Sequence, residues 1–392
     1  MWQVAVSLAT LSRQGGELML KLKYALILML LFLITACGNS STNTVTPATA
    51  KFTNLSTVSK SIVGSDTLAA AIAGTRVYYT DRILGLSSID ITDPLNLTKQ
   101  NTLVDPFHEI GNLNGYDTMY NFIIAGDIAI IAVNPACLGM CMGDGSEVRL
   151  YQLNPNNKPA QIATISIPAD HMAVDGNQLY ILSSNIFALT NTISIYDIST
   201  PSQPILKSTT AISDAGYLAK NGNILYVSQI SYDTLDSGKF SKLQTIDVAT
   251  PSTPVVENPT DGLAFNQTYA PILIAGNTLY YLDVLGLNII NIADRKKPVF
   301  IKTIALPGVS AKSFSSYKNK LYIAAGEKGV MVYDITQPEN PVYLKAIRSN
   351  TAALSVTVVN GVGAYISDTL KQSSGGGYSI VEGNGVNLFF DK

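Results

Sequence analysis

Seven copies of one apolar segment and a recurrent Asp-to-Pro spacing predict an all-β fold. The predicted form is a seven-bladed β-propeller of four-stranded antiparallel blades, closed by pairing of the N- and C-terminal strands. The segment reads GTRVYYTD, GDIAIIAV, GNQLYILSS, GNILYVSQ, GNTLYYLDV, NKLYIAAG and GVGAYISD. Its central residues are Tyr78, Ile130, Tyr180, Tyr226, Tyr280, Tyr322 and Tyr365, at intervals of 52, 50, 46, 54, 42 and 43 residues. Periods of this size, made of short β-rich runs separated by turn signals, mark a propeller or another closed array. Each copy follows a Gly or Asn turn and reads as strand B of a blade whose strands are lettered A to D from the channel outward.

A second run follows each of the first six copies: LSSIDITDP, VRLYQLNP, ISIYDISTP, LQTIDVATP, LNIINIADR and VMVYDITQP. These read as strand C ending in a turn. The anchors are Asp90, Gln152, Asp197, Asp247, Asn291 and Asp334, and seven positions later stand Leu97, Pro159, Pro204, Pro254, Pro298 and Pro341. An Asp or Asn side chain accepts a hydrogen bond from the backbone two residues on, and Pro fixes φ and cannot donate to a ladder. Together they end one strand and set the start of the next, so the anchors are scaffold.

Blade six divides into strands at residues 311–317, 320–325, 329–336 and 341–348. Blade seven has strand A at 354–359 and strand B at 363–367, and residues 385–391 resemble a strand C with no strand D after it. The N-terminal run LSTVSKSIV, residues 55–63, stands at the right distance before blade one to supply that fourth strand. Pairing the two ends removes exposed sheet edges.

The pattern of an apolar strand, then G-L-x-I-x-D-I-S-x-P-x-x-P, then a β-run resembles the LVIVD-repeat family of secreted and surface proteins of bacteria and archaea. The resemblance covers nearly all of residues 51–392 and implies a β-propeller. It departs at Gln152, which replaces Asp, at Arg295, which stands where Pro is usual, and in the seventh copy, which lacks a clear D-I-S-x-P. Propellers that rely on recurring Trp fit less well, because Trp2 is the only Trp.

Residues 24–34, YALILMLLFLI, form an apolar run preceded by Lys21 and Lys23 and followed by Thr35, Ala36 and Cys37. This is a signal-peptide layout, and the run is shorter than the roughly 20 apolar residues of a membrane span. The segment Ile34-Thr35-Ala36-Cys37 resembles the lipobox of bacterial lipoproteins, which implies cleavage before Cys37 and its lipidation. Gly38, rather than Asp, after the Cys implies the outer membrane by the same analogy. Translation is expected to start at Met19, since the preceding residues fit no signal-peptide region. Residues 38–50, rich in Ser, Thr and Asn, suit a tether, and the propeller is expected over 51–392.

The chain has 26 Lys and Arg against 28 Asp and Glu. Without residues 1–36 it carries 23 positive and 27 negative side chains. No basic field of the kind that neutralises phosphates is present, so nucleic acid is not an expected partner.

Propeller geometry puts the A–B and C–D turns on one face and the B–C and D–A connections on the other, beside the inner A strands. The C–D spacing is constant. From the centre of strand B to the C anchor the spacing is 12, 22, 17, 21, 11 and 12 residues, and from the C–D position to the next B centre it is 33, 21, 22, 26, 24 and 24. Every large insertion therefore lands on one face. Long loops on one side of a rigid scaffold are where binding residues concentrate. Candidate ligand-binding residues there are His108, Asp117 and Tyr120 in the first long D–A connection, and Tyr232 and Asp233 in the blade-four insert. Asp170, His171, Tyr217, Tyr269 and Lys312 are placed where inner strands begin, around the channel mouth. Aromatic faces among acids and amides suit sugars, peptides or a protein loop.

Cys137 and Cys141, four apart in the blade-two insert of an exported chain, are expected to form a local disulfide. The neighbouring Met140 and Met142 leave a Cu(I) site as the lesser alternative. No metal site or cofactor is expected otherwise. Only two His are present, and H-E-x-x-H, G-x-S-x-G and Gly-rich phosphate loops are all missing. The expected role is a noncatalytic, lipid-anchored monomer that binds an envelope protein or glycan through its loop-rich face. A carboxylate-dependent, glycosidase-like hydrolase at the channel mouth is the alternative.

Overall fold

The computed structural model describes residues 60–62, 67–81, 85–93, 98–100, 122–133, 146–154, 159–185, 190–212, 216–230, 240–257, 265–266, 271–283, 285–309, 313–347, 352–372 and 378–391. The chain divides into two units, Met1–Thr46 and Pro47–Lys392, and every described residue lies in the second.

These residues form seven antiparallel sheets that are the blades of a seven-bladed β-propeller. Blade one is Thr67–Ala73, Arg76–Asp81, Gly85–Asp90 and Thr98–Gln100. Blade two is Phe122–Ala125, Ile128–Val133, Glu147–Gln152 and Ala160–Ile165. Blade three is His171–Asp175, Gln178–Asn185, Thr190–Asp197 and Ile205–Ile212. Blade four is Leu218–Asn221, Ile224–Ile230, Phe240–Asp247 and Val255–Val256, with Phe265–Asn266 pairing the far end of its strand C. Blade five is Ile272–Ala275, Thr278–Leu282, Gly286–Asn291 and Val299–Ala305. Blade six is Ser313–Tyr317, Lys320–Ala324, Val330–Asp334 and Val342–Ile347.

Blade seven joins Ala352–Val359, Val362–Gln372 and Tyr378–Phe390 to the N-terminal strand Lys60–Ile62. Lys60 faces Leu388 and Ile62 faces Val386 in antiparallel register, so the two ends close the ring as the repeat count requires. The inner A strands neighbour one another all the way round, including blade seven against blade one.

The core lies between blades. Seven apolar clusters each draw on two adjacent blades, one per interface. Strand B serves two interfaces at once: Leu225 and Val227 pack toward blade three while Ile224 and Tyr226 pack toward blade five. Both faces of such a strand are interior, which is why its sequence is apolar at nearly every position rather than alternating. Burying one Leu, Ile or Val side chain contributes about 1.5–3 kcal/mol, so these interfaces supply most of the driving force.

The recurring Tyr fills an interface with its ring and uses its hydroxyl on the next blade. Tyr226 Oη donates to Arg295 O at 3.2 Å, Tyr280 Oη to Pro338 O at 2.7 Å, and Tyr322 Oη to Asp391 Oδ2 at 2.5 Å. A buried Tyr needs such a partner for its hydroxyl. Desolvation pushes the phenols of Tyr226 and Tyr180 up to about 12, so they stay neutral.

The anchors act as turn residues. Asp90, Asp197, Asp247, Asn291 and Asp334 each accept, on Oδ1, the backbone N–H two residues on, at 2.7–3.0 Å. Gln152 cannot make that turn and its Nε2 donates instead to Asp127 O at 3.2 Å. The residue after each anchor then donates its N–H to the A–B turn of its own blade, from Ile91 to Thr75 O, for example, and in blade seven Asp391, just after strand C, donates likewise to Gly361 O. This bond occurs in all seven blades and ties the two turns of that face together.

Candidate functional site

The opposite face carries the B–C and D–A connections, and its channel mouth is described best in blades three and four. There the residues just before strand A are held against the end of strand B. Asp170 N donates to Leu182 O at 2.8 Å, and Ser184 N donates to Asp170 Oδ2 at 2.5 Å. Ser183 Oγ donates to Pro168 O at 2.5 Å. In blade four, Ser228 N donates to Tyr217 O at 2.9 Å and Tyr217 N donates to Ser228 Oγ at 2.8 Å. In blade five, Leu282 N donates to Pro271 O at 3.3 Å. Strand A therefore starts from a pinned position in each case.

Asp170, His171 and Tyr217 are the predicted site residues that lie among the described ones, and the structure gathers them. The His171 ring meets Tyr217 edge-on, with centroids 5.0 Å apart and planes at 66°. Leu218 N–H points at His171 Nδ1 from 3.5 Å. Desolvation lowers His171 to about 4, so at neutral pH the ring is uncharged, with Nδ1 an acceptor and the proton on Nε2. Burial also raises the Asp170 carboxyl above its ordinary range, partly offset by the hydrogen bond from Ser184. Asp170 remains reachable by solvent. The arrangement offers a hydrogen-bonding acid beside an uncharged aromatic pair, which suits recognition of amides, hydroxyls and ring faces.

His108, Asp117, Tyr120, Tyr232, Asp233, Tyr269 and Lys312 lie outside the described residues, as do Cys37, Cys137 and Cys141. Among the described residues no group of three His, Cys, Asp or Glu is placed to hold a metal ion.

Two features of this face are not anticipated by the sequence reading. The first is the set of serines, Ser183 and Ser228, that fix the starts of the inner strands. Their place just after the strand-B Tyr is the signal that marks them. The second is in blade seven, where strands B and C run on together well past the blade. Asp368 pairs with Ala352 of strand A, but among the described residues the rungs Thr369–Val381 to Gln372–Tyr378 have no neighbour in strands A or D. Instead of ending at residue 367 and restarting at 385, the chain builds a two-stranded ribbon on the insertion side. No Asp-to-Pro turn punctuates it, so the repeat pattern does not reveal it.

No family model and no curated protein matches the chain. Solved structures do. A functionally unknown protein from Desulfotomaculum acetoxidans is 16% identical with a TM-score of 0.50, over 73% of this chain and 91% of that one. U3-55K is 9% identical with a TM-score of 0.55, over 85% and 98%. The RRP9 WD40 repeats are 10% identical with a TM-score of 0.55, over 85% and 97%. At these identities the likeness is one of fold.

Proposed function

We propose that this chain is a noncatalytic binding propeller of the cell envelope, anchored through a lipid on Cys37 and of the kind that its LVIVD-like repeats imply. Its insertion face takes an envelope protein or a glycan. The observation that carries this reading is the asymmetry of the two faces: one is tied by the same backbone bond in every blade, while length variation and the blade-seven ribbon fall on the other. At its mouth, the His171–Tyr217 pair and Asp170 supply ring faces and a hydrogen-bonding acid of the kind that glycans and peptide loops engage.

The test is capture by the immobilised chain from envelope extract, comparing a His171→Ala, Tyr217→Ala variant with Thr92→Ala on the tied face. Capture of one defined protein or glycan that falls about tenfold or more only in the mouth variant supports the reading. Equal capture by both variants rejects the face.

A second reading rests on Asp170. A carboxyl raised by burial is what a general acid requires, and a second carboxylate about 5–10 Å away would complete a glycosidase. Release of reducing ends from envelope polysaccharide that stops in Asp170→Asn is its signature.

A further inference from the structure

The outer rim of the ring carries large apolar side chains that the fold does not need. Leu206, Val255, Val299, Phe300, Val342 and Tyr343 stand at the eighth or ninth residue after their blade's anchor, at the start of strand D, and are 44–60% exposed. They belong to blades three, four, five and six, which are consecutive. At the same positions blade one has Thr98 and Lys99 and blade two has Ala160 and Gln161, while the corresponding positions of blade seven, before Lys60, lie outside the described residues. All seven blades share one scaffold, so the apolar arc over four of them is an addition to it. An unpartnered apolar patch of this kind marks a contact surface.

What covers it follows from where the chain comes in. Strand D starts at the C–D turn, so the arc lies along the perimeter of the tied face. The closing strand runs antiparallel to strand C, with Lys60 opposite Leu388 and Ile62 opposite Val386. Lys60 is thus nearer the tied face than Ile62, and the N-terminal segment joins the ring from that side. Cys37 is 23 residues before Lys60, a length that spans at most about 80 Å. The chain thus enters the ring at Lys60 on the face along whose perimeter the arc lies. Lys207 and Lys345 stand on the same strands D as Leu206 and Tyr343. Both lysines already sit in ion pairs, with Asp197 at 3.0 Å and Asp391 at 3.6 Å. Lysine stems and aromatic rings beside aliphatic residues are the composition of a surface that settles at the headgroup boundary.

We propose that the rim of blades three to six is the seat on which the propeller rests against the membrane, turning the insertion face away from the lipid. This rests on the lipid-anchor reading of Cys37 and adds an orientation to it.

The experiment uses the full chain, expressed in a bacterial envelope, extracted and reconstituted into phosphatidylethanolamine and phosphatidylglycerol vesicles containing brominated lipid. Tryptophan is introduced at the arc by Phe300→Trp or Tyr343→Trp, and at the polar rim by Gln161→Trp. The expected result is a loss of about half of the emission at the arc and of less than about a tenth at residue 161. Equal quenching at both places, or none at either, overturns the seat. The mass of the same preparation separates the two readings, since a diacylated Cys37 without quenching at the arc removes the seat alone and an unmodified Cys37 removes both. A two-copy complex in detergent that Phe300→Ser breaks, with no quenching, overturns the lipid assignment in favour of a contact between copies.

Discussion

On one face of the propeller, seven backbone bonds of 2.7–2.9 Å hold the end of each strand C to the A–B turn beside it. On the other, the B–C spacings of blades two and four are nearly twice that of blade five, 22 and 21 residues against 11, and blade seven raises a ribbon. The difference shows how a repeat divides its work. The tied face fixes the register of every blade by local turn chemistry. Connections on the other side can then lengthen at little cost, because closing a longer loop adds only about 0.6 kcal/mol per doubling. The two faces also respond differently to acid. On the tied face, hydrogen bonds from Ser199 and the neighbouring Lys207 hold Asp197 at about 2, while at the mouth burial holds His171 at about 4.

The largest effect is expected from breaking the tied face at its last member. The Asp391 side chain is 5% exposed and accepts from Lys320 Nζ at 2.6 Å and Tyr322 Oη at 2.5 Å, with Lys345 at 3.6 Å. Burial alone would raise its carboxyl, but the bonds from Lys320 and Tyr322 and the charges of Lys320 and Lys345 hold it below the ordinary range. Asp391→Ala leaves a lysine and a phenol without their shared partner and should cost about 3 kcal/mol in urea unfolding. A loss no larger than that of an ordinary surface substitution would show that blade seven is secured by apolar packing alone.

The contrast in acid is sharpened next by His171. Its folded value lies below that of the unfolded chain, so between about 6.5 and 4 the unfolded state binds a proton that the folded state refuses. The contribution is full above pH 6.5 and falls away as pH drops toward 4, on the order of 2 kcal/mol in all. His171→Gln should flatten the stability curve across that window relative to the parent. For Asp197 the contribution is full above pH 4 and is lost as pH falls toward 2, so the two faces should loosen at different acidities.

The smallest effect is a repair. Gln152 stands where five other blades have an Asp or Asn that closes its turn. Gln152→Asp should install that bond and raise stability by about 0.5 kcal/mol, read as a higher denaturation midpoint with unchanged slope. No change would mean that the bond from Gln152 Nε2 to Asp127 O already does the same work.

The blade count and the role of the anchors were legible because each is written in neighbouring residues. An Asp two residues before the N–H it accepts, or a Tyr at a fixed offset from a turn, keeps its meaning without long-range information. The pairing of Lys60–Ile62 with Val386–Leu388 was legible for a different reason: six complete blades and one incomplete one leave a single strand over. The mouth was legible only in outline. Asp170, His171 and Tyr217 were placed there by topology, but the edge-on contact of the two rings and the bond from Ser184 join different strands, and no spacing encodes them.

What the sequence determined by itself, then, is the unit: an apolar strand B, an Asx turn after strand C, and a proline before strand D, repeated until a ring closes. Local backbone chemistry sets these, and it acts over a few residues. Only the tertiary structure decided that the strand-B tyrosines reach across to the next blade and that His171 loses its charge. It also decided that the apolar starts of four strands D stay exposed on the rim. Each of these depends on which blade stands beside which and how much water is left between them, and the distance in space that settles it is unrelated to the distance along the chain.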